Sequence, residues 1–416
     1  MEFKRQHYVT ELVKRKHNGM IKIITGLRRS GKSYLLNTLF VNELIRSGVS
    51  TEQIIRIDLE DVAYMQLRDP LAMMRYIESR SSDKQMYYVI LDEVQMMPRF
   101  EELLNTLLKR QKYDVYVTGS NSRFLVTDVI TEFRGRGDEV RVYPLSIAEL
   151  HEAFPDKSWD ELWRDYSNFG GLPQVALMND TAQKSRYLKQ LFQTTYFKDI
   201  IDRYRVQQVE QFGQLADFVA SAIGSLTNPL KLSNTFLSKG QKISDNTIKQ
   251  YLQYLQDAFL ITEARRYDIR GKQYIGSPYK YYFSDIGLRN ARLNFRQYEE
   301  THLMENVIYT ELQRRGCEVD VGLVEIVERV NGKQEHRRLE IDFVANRGSE
   351  RYYIQSAYAM PDEDKIRQEE RPLLKISDSF KKIIIVKESV LPWHNDNGTT
   401  IMSLQTFLMD EDSLRM

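Results

Sequence analysis

A single cysteine in 416 residues, Cys317, excludes an internal disulfide and fits a reducing compartment. No apolar run approaches the roughly eighteen residues that would span a bilayer, so no transmembrane helix is expected. The first residues, Met1-Glu2-Phe3-Lys4-Arg5-Gln6-His7, lack the apolar core of a secretory leader, and a cytoplasmic location is expected. An excess of either charge is also missing. With 59 Lys and Arg against 58 Asp and Glu the net charge is +1, so any basic patch for nucleic acid must be local. The six histidines do not group with the cysteine at metal-ligand spacing, which argues against a zinc site. Repeats and low-complexity tracts are absent too.

What is present is a complete phosphate-binding loop. Gly26-Leu27-Arg28-Arg29-Ser30-Gly31-Lys32-Ser33 reads G-x-x-x-x-G-K-S. A strand-like run over residues 20–25 leads into it. Tyr34-Leu35-Leu36, Leu39-Phe40 and Leu44 follow at helical spacing. In that context the glycines let backbone N–H groups close around phosphate oxygens at a helix N-terminus. Lys32 is expected to reach the β- and γ-phosphates of ATP and Ser33 to sit on Mg²⁺.

Short apolar segments then alternate with helical ones. Strands are expected at 54–59, 87–91, 115–118 and 141–143, with a helix over 100–108. The pattern predicts a parallel sheet covered on both faces, an α/β P-loop NTPase core of three layers. Val89-Ile90-Leu91-Asp92-Glu93 ends one strand in two carboxylates. Asp92 is placed to hold Mg²⁺ and Glu93 to orient or deprotonate the attacking water. An apolar run ending in Asp-Glu is weak evidence by itself and gains force from the loop upstream; the alternative for Asp92 is a helix cap. Thr118-Gly119-Ser120-Asn121 ends the next strand, and Asn121 or Ser120 is the candidate for touching the γ-phosphate. Those residue types also form turns. Arg134 and Arg136 flank Gly135 in a basic loop that can reach a γ-phosphate, in its own subunit or a neighbour's, or lie in solvent. Arg28 and Arg29, inside the phosphate loop, are candidates for nucleotide or nucleic-acid phosphate, with solvent exposure as the alternative.

The loop, together with Leu91-Asp92-Glu93-Val94-Gln95, Val117-Thr118-Gly119-Ser120-Asn121, Gly135-Arg136-Gly137 and Pro144-Leu145-Ser146, resembles the bacterial and archaeal AAA-type ATPases that carry a C-terminal domain of unknown function. Gly170-Gly171-Leu172-Pro173, Asp285-Ile286-Gly287-Leu288, Glu305-Asn306 and Glu340-Ile341-Asp342-Phe343 extend the resemblance over most of the chain. It implies a C-terminal domain similar to the restriction-endonuclease fold, with a PD-(D/E)xK-type site. Glu305 and Asp342 match two acids of such a site. Gln355 stands where the next acid belongs and Ala357 where the lysine belongs. A degenerate nuclease scaffold is therefore expected.

Between these parts, residues 151–212 read as a helical, lid-like region and 213–276 as a winged helix. Its second helix would present Asn246, Thr247, Lys249, Gln250 and Gln253. Arg265, Arg266, Arg270 and Lys272 would lie in a wing built from strands at 261–264 and 271–275. Lys249, Arg265 and Arg266 are the candidate DNA contacts, since such side chains can read bases or hold a phosphate backbone. The alternative is a winged helix with a packing role only. The expected division is thus 1–150, 151–212, 213–276 and 277–416. The expected function is Mg-dependent binding and hydrolysis of ATP, coupled to double-stranded DNA, a protein partner or self-association. The alternatives are a nucleotide-gated DNA-binding module with little turnover and, against the missing acid and lysine, an ATP-dependent nuclease.

Overall fold

The computed structural model describes residues 2–82, 85–119, 135–238, 240–330, 333–360 and 363–416. The chain forms two compact units, residues 1–145 with 257–259 and residues 146–256 with 260–416.

Five strands build the first unit: β1 (Ile21–Thr25), β2 (Ile54–Asp58), β3 (Tyr87–Asp92), β4 (Tyr113–Thr118) and β5 (Gly137–Arg141). They pair in parallel in the order β2-β3-β4-β1-β5. Strands β1, β3 and β4 are buried along their whole length, which is why they read as near-continuous apolar runs. Alternation sends Ile23, Val89 and Val117 to one face, against Met73, Ile77 and Leu104. Ile24, Ile90 and Tyr116 go to the other, against Leu12, Leu36 and Phe40. This is the three-layer P-loop NTPase fold. Because β4 lies between β1 and β3, the tips Thr25, Thr118 and Asp92 end side by side at one edge. The strand expected at 141–143 instead begins at Gly137. Its register with β1 runs from Ile21↔Gly137 to Thr25↔Arg141.

The second unit opens with helices Ile147–Ala153 and Trp159–Phe169. Each starts with a reciprocal cap, Ser146 with Glu149 and Ser158 with Glu161. Helices Pro229–Ser238 and Asp245–Asp257 follow, the second capped by Ser244, whose Oγ accepts the Thr247 N–H at 3.1 Å. The strands after them differ from a small wing. β6 (Ile261–Asp268) and β7 (Gln273–Phe283) turn around Gly271, then join β8 (Glu318–Val330), β9 (Lys333–Arg347), β10 (Glu350–Ala357), β11 (Lys381–Val386), β12 (Trp393–His394) and β13 (Thr400–Ser403). The sheet is mixed, in the order β12-β13-β11-β10-β9-β8-β6-β7. Pairing of β6 with β8 (Arg266↔Val321) makes the expected wing an edge of this sheet. The boundary expected at 276/277 falls inside β7 and is not a domain boundary.

Two of the motifs singled out above meet inside this unit. The Asp285 carboxylate accepts the Gly171 N–H at 2.8 Å and the Leu288 N–H at 3.0 Å. Gly170 has φ +71°, and a Cβ there would lie 2.3 Å from an Asp285 oxygen. Asn306 pairs with both the N–H and the C=O of Phe283, each at 2.8 Å, and so continues the strand's hydrogen bonding with a side chain. The Gly-Gly-Leu-Pro, Asp-Ile-Gly-Leu and Glu-Asn motifs thus hold one element against another.

Candidate nucleotide-binding site

The phosphate loop joins β1 to a helical run from Lys32 to Arg46, whose middle stretch, Leu35–Phe40, is wound as a wider π turn. Gly26 has φ +128°, and a Cβ would sit 2.2 Å from the Val142 carbonyl, so glycine is obligatory there. Gly31, at φ +96°, makes the turn into the helix. Leu27 and Ser30 are buried, Arg29 is exposed at φ +65°, and Arg28 reaches Glu60 at 3.4 Å. The Lys32 side chain curls over the loop, its Nζ 3.0 Å from the Gly26 carbonyl and 3.1 Å from that of Leu27. Burial lowers its pKa to about 8, against the opposing pull of Glu93 and Asp92. A cation that is poorly solvated before a ligand arrives gains most from a phosphate.

Asp92 ends β3 in a buried position. Its carboxylate accepts from the Thr118 hydroxyl and from Asn37 Nδ2 at 3.2 Å. Burial raises its pKa, while hydrogen bonds from Thr118 and Ser33 pull the other way. A carboxylate beside a serine hydroxyl is the hard oxygen donor pair that suits Mg²⁺. Ser33 and Asp92 are therefore the residues fit to hold it. Glu93 follows with φ +52° and ψ +52°, a left-handed conformation rarely adopted by a glutamate. Its N–H donates to Thr118 Oγ1 at 2.9 Å, and its carboxylate accepts from Gln95. Thr118 thus ties the two acidic residues of neighbouring positions to the tip of β4.

Residues 18–151 match the family described as "AAA domain", and residues 160–299 a "domain of unknown function". An uncharacterized protein of Haemophilus influenzae is 34% identical over 386 residues, covering 92% of each chain. The chain belongs to this family of AAA-domain proteins. An uncharacterized protein of Methanocaldococcus jannaschii is 25% identical over 363 residues, 84% of this chain and 77% of that one. Among solved structures, a Walker-type ATPase of Pyrococcus abyssi is 17% identical, with a TM-score of 0.48 over 70% of this chain and 96% of that one. An AAA domain with an intact phosphate loop is a nucleotide-binding domain.

Not every candidate joins the AAA site. Ser120, Asn121 and Arg134 lie outside the described residues. Arg136 does not approach the loop within its own chain. Its carbonyl accepts the Ile21 N–H at the start of β1, whereas the loop follows the end of that strand, about 17 Å further on. The strand register places Arg136 at the opposite edge of the sheet. Thr118, Asn37 and Glu60 were not among the expected site residues. Thr118 was legible, since it precedes the expected Ser120/Asn121 tip by two and three residues. Asn37 depends on the π turn, for which the sequence has no signal.

The C-terminal carboxylates come together around an unexpected cation. Lys280 of β7 places Nζ 2.9 Å from Glu305, 2.8 Å from Glu340 and 3.8 Å from Asp342. Tyr282, two residues on and therefore on the same face, donates to Glu305 at 2.6 Å. Burial works against the Lys280 charge, but Glu305, Asp342 and Glu340 hold its pKa above the usual lysine value. Asp342 is also held by the Ser356 N–H at 2.8 Å, and Gln355 accepts the Asp342 N–H at 3.3 Å. An internal ammonium sits at the centre of these three carboxylates. Among the described residues no three His, Cys, Asp or Glu side chains are placed to hold one.

The expected DNA contacts divide. Lys249 and Arg265 are exposed, but each pairs with an acid, Asp245 at 3.5 Å and Glu263 at 3.6 Å. Arg266 is 9% exposed and faces Glu340. Arg265 is exposed whereas Arg266 is buried, so the two arginines do not form one surface patch. Among the described residues no helix is long and apolar enough to cross a membrane.

Proposed function

We propose that the protein is a Mg²⁺-dependent ATPase. The observation that carries this reading is the convergence of Lys32, Ser33, Asp92, Glu93 and Thr118 at one edge of the parallel sheet. Lys32 and the loop N–H groups bind the β- and γ-phosphates, and Ser33 with Asp92 would hold Mg²⁺, which would supply charge neutralisation at the phosphate oxygens. Glu93, fixed through its N–H by Thr118, orients a water and accepts its proton as the γ-phosphate is attacked. A cytoplasmic location accompanies this reading.

Coupling to double-stranded DNA is the finer proposal, supported by the capped helix pair Pro229–Ser238 and Asp245–Asp257 and by the exposed Lys249 and Arg265. The acids paired with both cations keep it secondary to nucleotide hydrolysis. Nuclease action is not proposed, because Lys280 occupies the centre of the Glu305, Glu340 and Asp342 group expected to resemble such a site. Phosphate release measured with and without duplex DNA, at two protein concentrations, tests the reading. Turnover lost in Lys32→Ala supports it, and turnover indifferent to that change refutes it. Stimulation by DNA or by concentration adds coupling or self-association.

A further inference from the structure

The phosphate loop is held from behind by an arginine that the loop motif does not include. Arg5, 3% exposed, sends Nη1 to the Ser30 carbonyl at 2.7 Å and Nη2 to the Tyr143 carbonyl at 2.6 Å. Its guanidinium lies over the Tyr8 ring, 4.7 Å from the centroid, and the Tyr8 hydroxyl accepts the Tyr143 N–H at 3.1 Å. Arg5 itself has φ +46°, so the backbone is bent to deliver this side chain. One planar fork therefore joins the loop to the segment after β5.

The chemistry at Ser30 is directional. In a trans peptide the C=O and N–H point opposite ways. With the Ser30 carbonyl turned back onto a buried guanidinium, the N–H of Gly31 is turned forward. A charge-assisted bond on the carbonyl also polarises the whole peptide and makes that N–H a stronger donor. We propose that Arg5 is a positioning residue for nucleotide: it fixes and polarises the Ser30–Gly31 peptide so that the Gly31 N–H donates to the bound phosphates. The proposal rests on the nucleotide reading above and adds to it a residue outside the motif.

The test is affinity for a fluorescent N-methylanthraniloyl-ATP in wild type, Arg5→Ala, Arg5→Lys and Lys32→Ala. Loss of a charged hydrogen-bond partner predicts that Arg5→Ala weakens binding at least about tenfold. Arg5→Lys keeps the charge but not the fork and falls between. Added guanidinium ion restores part of the loss in Arg5→Ala. Arg15→Ala is the stability control, because it breaks the same segment's bond to Asp138 (3.0 Å) without touching the loop. In glycine-labelled protein the Gly31 amide signal moves upfield in Arg5→Lys, a readout available even if Arg5→Ala does not fold. Lys32-dependent binding that is unchanged in Arg5→Ala, or a loss matched by Arg15→Ala at equal melting temperature, overturns the proposal. Equal binding by wild type and Lys32→Ala overturns the nucleotide reading itself.

Discussion

Lys280→Met removes the cation shared by Glu305, Glu340 and Asp342 and keeps most of the side-chain stem. Glu305 and Glu340, at 2.9 and 2.8 Å from the ammonium, and Asp342, at 3.8 Å, lose their shared cation. Breaking a buried ion pair from one side costs about 3–5 kcal/mol, because the remaining charge is left uncompensated. Part of that cost is avoided by protonation. Burial and the neighbouring Glu305 already push the Asp342 carboxyl up to about 7. A raised carboxyl binds its proton more tightly folded than unfolded, so its contribution to stability falls as pH rises toward that value. Lys280 behaves differently. Its folded pKa is raised, so its own contribution is whole below the unfolded lysine value of about 10.4 and constant across neutral pH. Removing it lifts the acids further, and the deficit of the variant should be larger at about pH 8 than at about pH 6. All three tryptophans, Trp159, Trp163 and Trp393, belong to the second unit, so urea unfolding followed by their fluorescence reports on it directly. A loss below about 1 kcal/mol, or one independent of pH, would refute the account of this cluster.

Two other outcomes follow from single contacts. Because the Lys32 pKa is lowered to about 8, ATP binding should draw a proton onto it: calorimetry in buffers of different ionisation enthalpy should show uptake above that pH and little at lower pH, where the ammonium is already formed. Gly170→Ala places a methyl 2.3 Å from the Asp285 carboxylate in a left-handed backbone, and should destabilise the second unit by about 3 kcal/mol in the same urea assay.

The first unit was legible because β1, β3 and β4 are buried on both faces and carry almost unbroken apolar runs between helices of clear period. Its site was legible where a motif fixes the backbone, at residues 26–33 and at Asp92-Glu93. The place of Arg136 was not legible, because a basic loop has no periodicity to say which edge of the sheet it lies on. Only the β1–β5 register does. The small wing was misread for a related reason. Residues 261–268 look like a short hairpin strand in isolation, and nothing local records that β6 pairs with β8, more than fifty residues on. Lys280 was missed because a lysine within Tyr-Lys-Tyr-Tyr-Phe looks like an exposed strand position. Its partners, Glu305, Glu340 and Asp342, are distant in sequence. Arg5, 25 residues from Ser30, is invisible to a motif that begins at Gly26.

In the proposed mechanism Glu93 activates water for attack on a nucleotide held by Lys32. Steady-state phosphate release from Mg-ATP by wild type and Glu93→Gln tests it most directly. General-base removal predicts a fall of about 10²–10⁴-fold with nucleotide affinity retained. Turnover by Glu93→Gln at the wild-type rate would contradict the claim.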